Sequence, residues 1–187
     1  MGPLWRIVFV AAIVAIACAA PARAESYLGL TFPQQIGGAT LGEIHDYEKD
    51  DPGYGYSAAY ELPGWAIDVY IYDLGMSDIP DDPLSQVVLR QLAQAKNEIF
   101  EVGRQGYYSD IEVKEEFVLK DAQGKPRYVC ISFGYVVAKR DADSVLCLTS
   151  WKHRFLKFRM TTARRAGSDR EAEDFVGAWA AMLWPSQ

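Results

Sequence analysis

Residues 110–160 alternate apolar and polar side chains with a period of two, broken only by short polar stretches, and nothing constrains the fold more. From Asp110 to Lys120, Ile111, Val113, Phe117 and Leu119 fall on one face and Glu112, Lys114 and Glu116 on the other. From Arg127 to Ala138, Val129, Ile131, Phe133, Tyr135 and Val137 oppose Cys130, Ser132 and Gly134. Ser144 to Trp151 adds Leu146 and Leu148, and Phe155, Phe158 and Met160 follow. The pattern predicts four antiparallel strands in a meander, turning at residues 122–126, at Arg140-Asp141-Ala142-Asp143 and at Lys152-His153-Arg154. The last turn is expected to hold three residues, which places Phe158 and Met160 beside Leu148 and Leu146. An even-numbered turn would carry Lys157 and Arg159 onto the apolar face instead.

Upstream, the pattern gives a strand near Ala39 to Tyr47, an acidic loop from Asp46 to Gly53, and a hairpin. Its arms are Tyr54 to Leu62 and Trp65 to Tyr72, joined at Pro63-Gly64. After the loop from Asp73 to Asp81, Asp82 is expected to cap a helix with Pro83 at its first position. Leu84, Val88, Leu92, Ala95, Ile99 and Val102 form its apolar stripe, and Gly103 ends it. Ser168-Asp169-Arg170-Glu171 has the spacing of a capping box. It opens a second helix with the stripe Ala172, Phe175, Val176, Trp179 and Leu183, stopped by Pro185. The expected fold class is α+β: an antiparallel sheet of about six strands flanked by two main helices.

The first residues read differently. Arg6 precedes an uncharged apolar run of fourteen residues, Ile7 to Ala20, short of the ~20 that span a bilayer as a helix. Ala22-Arg23-Ala24 then offers small residues where a signal peptidase reads them, so residues 1–24 are expected to be a signal peptide and residues 25–187 a single domain. A second reading takes Ala15-Ile16-Ala17-Cys18 as a lipobox that acylates Cys18, although Ala15 replaces the usual leucine or valine. A third retains the segment as an anchor.

Without the first 24 residues the chain holds 17 bases and 25 acids, a net charge of −8, which argues against a dedicated nucleic-acid binder. Residues 25–113 carry a net −12 and residues 114–187 a net +4, an asymmetry within one domain. Cys130 and Cys147 remain in that domain. With a turn at residues 140–143, Cys147 faces Val136 and the two cysteines lie roughly 20 Å apart along the strands. A disulfide needs Cα atoms within ~7 Å, so no bond is expected.

Candidate sites are few. His45, in Glu43-Ile44-His45-Asp46, has a carboxylate to orient it, but no nucleophile is placed beside it by sequence, and an exposed strand-end histidine competes. Asp73, Asp78, Asp81 and Asp82 could offer oxygens to calcium, yet lack EF-hand spacing and sit where acids suit a helix start. No zinc spacing is present. Tyr54, Tyr56, Tyr60, Tyr70 and Tyr72 cluster on the hairpin, where flat apolar rings with polar tips suit either ligand binding or cross-strand packing. Lys152, Arg154, Lys157, Arg159, Arg164, Arg165 and Arg170 gather against a single acid, Asp169. They form either a surface for an anionic partner or a solvated, aggregation-resistant face. Tyr54, Tyr56, Tyr70, Tyr72, Lys157 and Arg159 are the candidate partner-binding residues; no catalytic or metal-binding residue is assigned.

The order of elements, with the segments Val69-Tyr70-Ile71-Tyr72-Asp73 and Phe155-Leu156-Lys157-Phe158-Arg159, resembles the PsbP-like fold and also exported proteobacterial proteins of uncharacterised role. The resemblance spans most of residues 27–184 and implies an accessory, assembly or binding module. No functional residue carries over from it, and fold alone does not fix function. The expectation is a non-catalytic periplasmic or secreted accessory or binding protein without a cofactor. Its partner would be an envelope protein or a small ligand, with membrane contact only if Cys18 is lipidated. A small envelope hydrolase using His45 or the Asp73–Asp82 carboxylates, and an envelope lipoprotein, are the alternatives.

Overall fold

The alternating segments pair into one antiparallel sheet whose central strands are buried on both faces while the edge strands stay partly exposed, as the computed structural model of the chain shows for residues 26–185. The expectations for residues 1–24, Cys18 included, lie outside the described residues. The strands are β1 (Gln35–Ile36), β2 (Ala39–Asp46), β3 (Tyr56–Leu62), β4 (Trp65–Tyr72), β5 (Tyr108–Lys120), β6 (Pro126–Val137), β7 (Arg140–Trp151) and β8 (Arg154–Ala163). Helix α1 (Gln86–Arg104) lies between β4 and β5, and α2 (Ser168–Leu183) closes the chain. The spatial order β1-β2-β3-β4-β8-β7-β6-β5 joins the N-terminal hairpin and the meander through β4 and β8. Among the described residues the α+β class and the two main helices match expectation, with eight strands in place of about six.

Each face of the sheet carries one helix and its own core. Ala172, Phe175, Val176 and Trp179 of α2 pack on Tyr60, Val69, Leu156, Phe158, Met160 and Tyr128. Val88, Leu92, Ala95 and Ile99 of α1 pack on Ile131, Phe133, Leu146, Leu148 and Phe155 of the opposite face. Burying each such aliphatic or phenyl side chain stabilises by about 1.5–3 kcal/mol. Strand β5 serves both faces. A register shift between Val113 and Glu115 reverses its parity, so Ile111 and Val113 face α1 while Phe117 and Leu119 join the α2 side. Strict alternation alone predicts all four on one face.

Two turns also differ from expectation. β6 and β7 join at Ala138-Lys139, with Val137 opposite Arg140, and both turn residues take positive φ (49° and 63°), as a type I′ turn requires. The aspartates read as turn formers lie in β7, where Asp143 is only 2% exposed. This shift brings Cys147 directly opposite Cys130, with Cα atoms 4.1 Å apart, and the two form a disulfide that the sequence reading did not expect. The β7–β8 turn holds two residues, Lys152 and His153 (φ 49° and 59°), and pairs Trp151 with Arg154. Lys157 therefore stands opposite Leu148 and Arg159 opposite Leu146, on the apolar face below α1.

Both helix starts depart from the sequence signals. Asp82 spends its carboxylate on the Leu84 N–H (2.9 Å), Leu84 stays exposed, and Ser85 caps α1 by accepting from Val88 N–H (3.4 Å). At α2 the capping box is not formed: Gly167 is the cap residue, and Ser168 Oγ donates to Asp143 Oδ2 (2.8 Å). Glu171 instead binds the Arg165 guanidinium and accepts from Trp65 Nε1 (2.9 Å).

Candidate functional site

Register places the chemistry. Between β4 and β8, Tyr70 faces Lys157 and Asp68 faces Arg159, all toward α1. The Lys157 ammonium lies 4.4 Å from the Tyr70 ring centre and 5.5 Å from that of Tyr72. Both distances lie within cation–π range. Arg159 donates to Ser144 Oγ (2.7 Å) and to the Tyr135 hydroxyl (3.3 Å), both neutral acceptors. Among the described residues neither Lys157 nor Arg159 has an ion-pairing carboxylate within 4.0 Å.

Helix α1 does not seal this strip. Two adjoining hollows, of about 170 and 180 Å³, share Tyr70, Glu98 and Lys157. The first continues past Arg159 to Tyr108 and Val102. The second opens between Tyr47, Tyr54, Tyr72, Leu74, Gln91 and Gln94. Tyr54, 59% exposed, stands at its rim. The rim loop is set by Gly55, whose φ of +64° suits glycine and whose added Cβ would lie 2.0 Å from the Ile71 carbonyl oxygen. Glu48 braces the same loop by accepting from the Gly53 and Gly55 N–H groups.

Burial lowers the Lys157 ammonium below its ordinary pKa; Arg159 pushes the same way, while Glu98 and Asp68 oppose it. Burial also raises the Tyr70 and Tyr72 phenols and the Asp68 carboxyl. The two phenols therefore stay protonated and can donate. Gln91 Nε2 donates to the Tyr72 hydroxyl (3.1 Å), which leaves the Tyr72 proton for another acceptor. What results is a small amphipathic groove: aromatic walls, a Lys157 cation with no carboxylate in ion-pairing contact among the described residues, and protonated phenols.

Of the candidate residues, Tyr54, Tyr70, Tyr72 and Lys157 meet in this groove, and Arg159 lines its extension. Tyr56 does not join them, because it packs on the α2 face with its ring 5.0 Å from Tyr27. Tyr60 is buried there too, its hydroxyl donating to the Pro33 carbonyl (3.0 Å). The basic residues that adjoin in sequence disperse in space. Arg154 pairs with Asp73, Arg164 with Asp141 and Asp143, Arg165 with Glu171 and Arg170 with Asp174. Lys152 lies over Trp151.

His45 is exposed on β2, its ring 4.2 Å from that of Tyr47. The carboxylates before α1 hold loops: Asp73 accepts from Gly75 N–H, Asp81 from His153 N–H and Asp82 from Leu84 N–H. Among the described residues no group of three or more His, Cys, Asp or Glu is arranged to hold a metal ion. Gln91, Gln94 and Glu98 were missed in the sequence. The available signal was Gln91 itself, a buried polar residue inside the apolar stripe of α1.

The fold defines an α+β protein with one antiparallel sheet and a helix on each face. No family model and no curated protein matches the sequence. Among solved structures the chain is similar to cyanobacterial PsbP (CyanoP) from Synechocystis sp. PCC 6803, at 16% identity over 74% of this chain and 78% of that one, with a TM-score of 0.47. It also matches CalU16 from Micromonospora echinospora, at 16% identity over 79% of this chain and 85% of that one, with a TM-score of 0.27.

Proposed function

We propose that this chain is an exported, periplasmic accessory protein that works by binding rather than by catalysis, and that the groove beneath α1 is its binding site. One observation carries the reading: the Lys157 ammonium is held against two tyrosine rings at the mouth of a cavity, with no carboxylate among the described residues within ion-pairing distance. A half-buried cation costs stability unless something compensates it, and tyrosine rings compensate only in part. A protein that keeps such a group gains from it when a partner arrives. The leader-like first 24 residues support export.

Native mass spectrometry of the protein purified gently from its own cell envelope tests this. A co-purifying small molecule or partner that is lost from the Lys157→Met variant supports the reading. Identical spectra of bare protein for both forms, with recovered envelope fractions restoring no complex, reject it.

A further inference from the structure

We infer that the hollow between Tyr54, Tyr72, Leu74 and Lys157 takes a small aromatic carboxylate, its ring among the tyrosines and its carboxylate on the Lys157 ammonium. The inference rests on the binding reading above and names the ligand class for that site.

Size sets the first limit. The hollow measures about 180 Å³. A cavity of roughly 150 Å³ accepts a benzene ring, and typical drug-sized sites run from roughly 300 to 1,000 Å³. One ring with a short substituent fits within the hollow. The walls set the second limit, since Tyr47, Tyr54, Tyr72 and Leu74 offer flat apolar area to a ring.

Charge chooses the substituent. Among the described residues Lys157 has no carboxylate in ion-pairing contact, and the Tyr72 hydroxyl, already accepting from Gln91, has its proton to give. A carboxylate accepts from both, and a charge-assisted bond in a desolvated cleft is among the stronger ones. A cationic ligand is disfavoured although tyrosines can cage cations, because the Lys157 ammonium already occupies the Tyr70 ring face. A dianion such as phosphate meets Glu98, which lines the same hollow and also acts electrostatically on Lys157, with Asp68 close behind. A single negative charge is the best compromise.

The test titrates benzoate, and separately its neutral isostere benzamide, into the protein while amide NMR spectra are recorded. Benzoate is expected to give saturable shifts at Tyr70, Tyr72 and Lys157, with benzamide about tenfold weaker or more. Lys157→Met should lose benzoate binding to a similar degree while its thermal midpoint holds or rises, since a half-buried cation is removed. Glu98→Gln should tighten benzoate severalfold, an effect no folding defect would produce. Benzamide binding as tightly as benzoate, or Lys157→Met binding it unchanged, would overturn the carboxylate assignment while leaving the groove a binding site. No shift with either compound would overturn the ligand class itself, and the binding reading would then rest on the native co-purification alone.

Discussion

Cys130 and Cys147 face each other across β6 and β7 and are bonded, buried on the α2 side of the sheet within the core that holds Phe158 and Trp179. The bond closes a loop between positions 17 apart in sequence, for which chain-entropy reasoning gives about 3 kcal/mol. Replacing both cysteines with alanine is expected to lower stability by about 2–3 kcal/mol in urea unfolding, with the sheet intact by circular dichroism. Unchanged stability would mean that the hairpin alone fixes this register.

Asp143 is nearly inaccessible yet charged, and it ties three parts of the chain together. It accepts from Lys114 of β5 (2.6 Å), from Ser168 at the start of α2 and from the Arg165 N–H (3.2 Å). Burial alone would raise its carboxyl, but these hydrogen bonds outweigh burial and hold it below the ordinary value. Asp143→Asn should cost about 2–4 kcal/mol and fray α2 and β5 first, as hydrogen exchange would show. Uniform protection across all elements in the variant would contradict that role.

Tyr60, Tyr70, Tyr72 and Tyr128 all have phenol pKa values raised by burial above their ordinary 10.0. A raised folded pKa means that the unfolded chain loses these protons first. Their contribution is complete below pH 10 and is lost as pH climbs toward the folded values. Lys157 acts in the opposite sense, since its lowered folded pKa lets stability recover as pH rises toward 10.5, but it is one group against four. Urea midpoints measured from pH 8 upward should hold to about pH 10 and then fall steeply, together with the rise of phenolate absorbance. A flat profile through pH 11 would contradict the burial of these rings.

The turn at Ala138-Lys139 puts two ordinary residues in the left-handed region, at a cost of about 1–2 kcal/mol each. Changing the pair to Asn-Gly, the residues a type I′ turn prefers, should raise the thermal midpoint, with a gain of about 1 kcal/mol or more. A loss would show that Lys139 or Ala138 makes a contact beyond the turn.

These elements also show what the sequence could convey. Alternation fixed which segments are strands, and the stripes 88-92-95-99 and 172-175-176-179 fixed two helices, because burial on one face writes itself into spacing. Register was not legible. Asp141 and Asp143 are the residues a turn favours, whereas the real turn uses Ala138 and Lys139, whose positive φ is imposed by strand pairing rather than by their own chemistry. That one displacement hid the disulfide. At β7–β8, side-chain polarity favours a three-residue turn, whereas the two-residue turn places Lys157 and Arg159 on the face below α1. The rule that charge avoids an apolar face failed where the candidate site lies. The tyrosine cluster was half legible: Tyr70 and Tyr72 share the groove, while Tyr56 and Tyr60 belong to the other core.

Strand β8 lies in the middle of the sheet, and its residues take turns. Leu156, Phe158 and Met160 belong to the α2 core; Lys157 and Arg159 belong to the groove. Two inheritable traits are thus interleaved along five consecutive positions without sharing a side chain. If the groove binds as proposed, altering the odd-numbered members would retune what it accepts while the even-numbered ones go on specifying the same architecture. On that reading a designer could change the groove with two substitutions while leaving the fold superimposable.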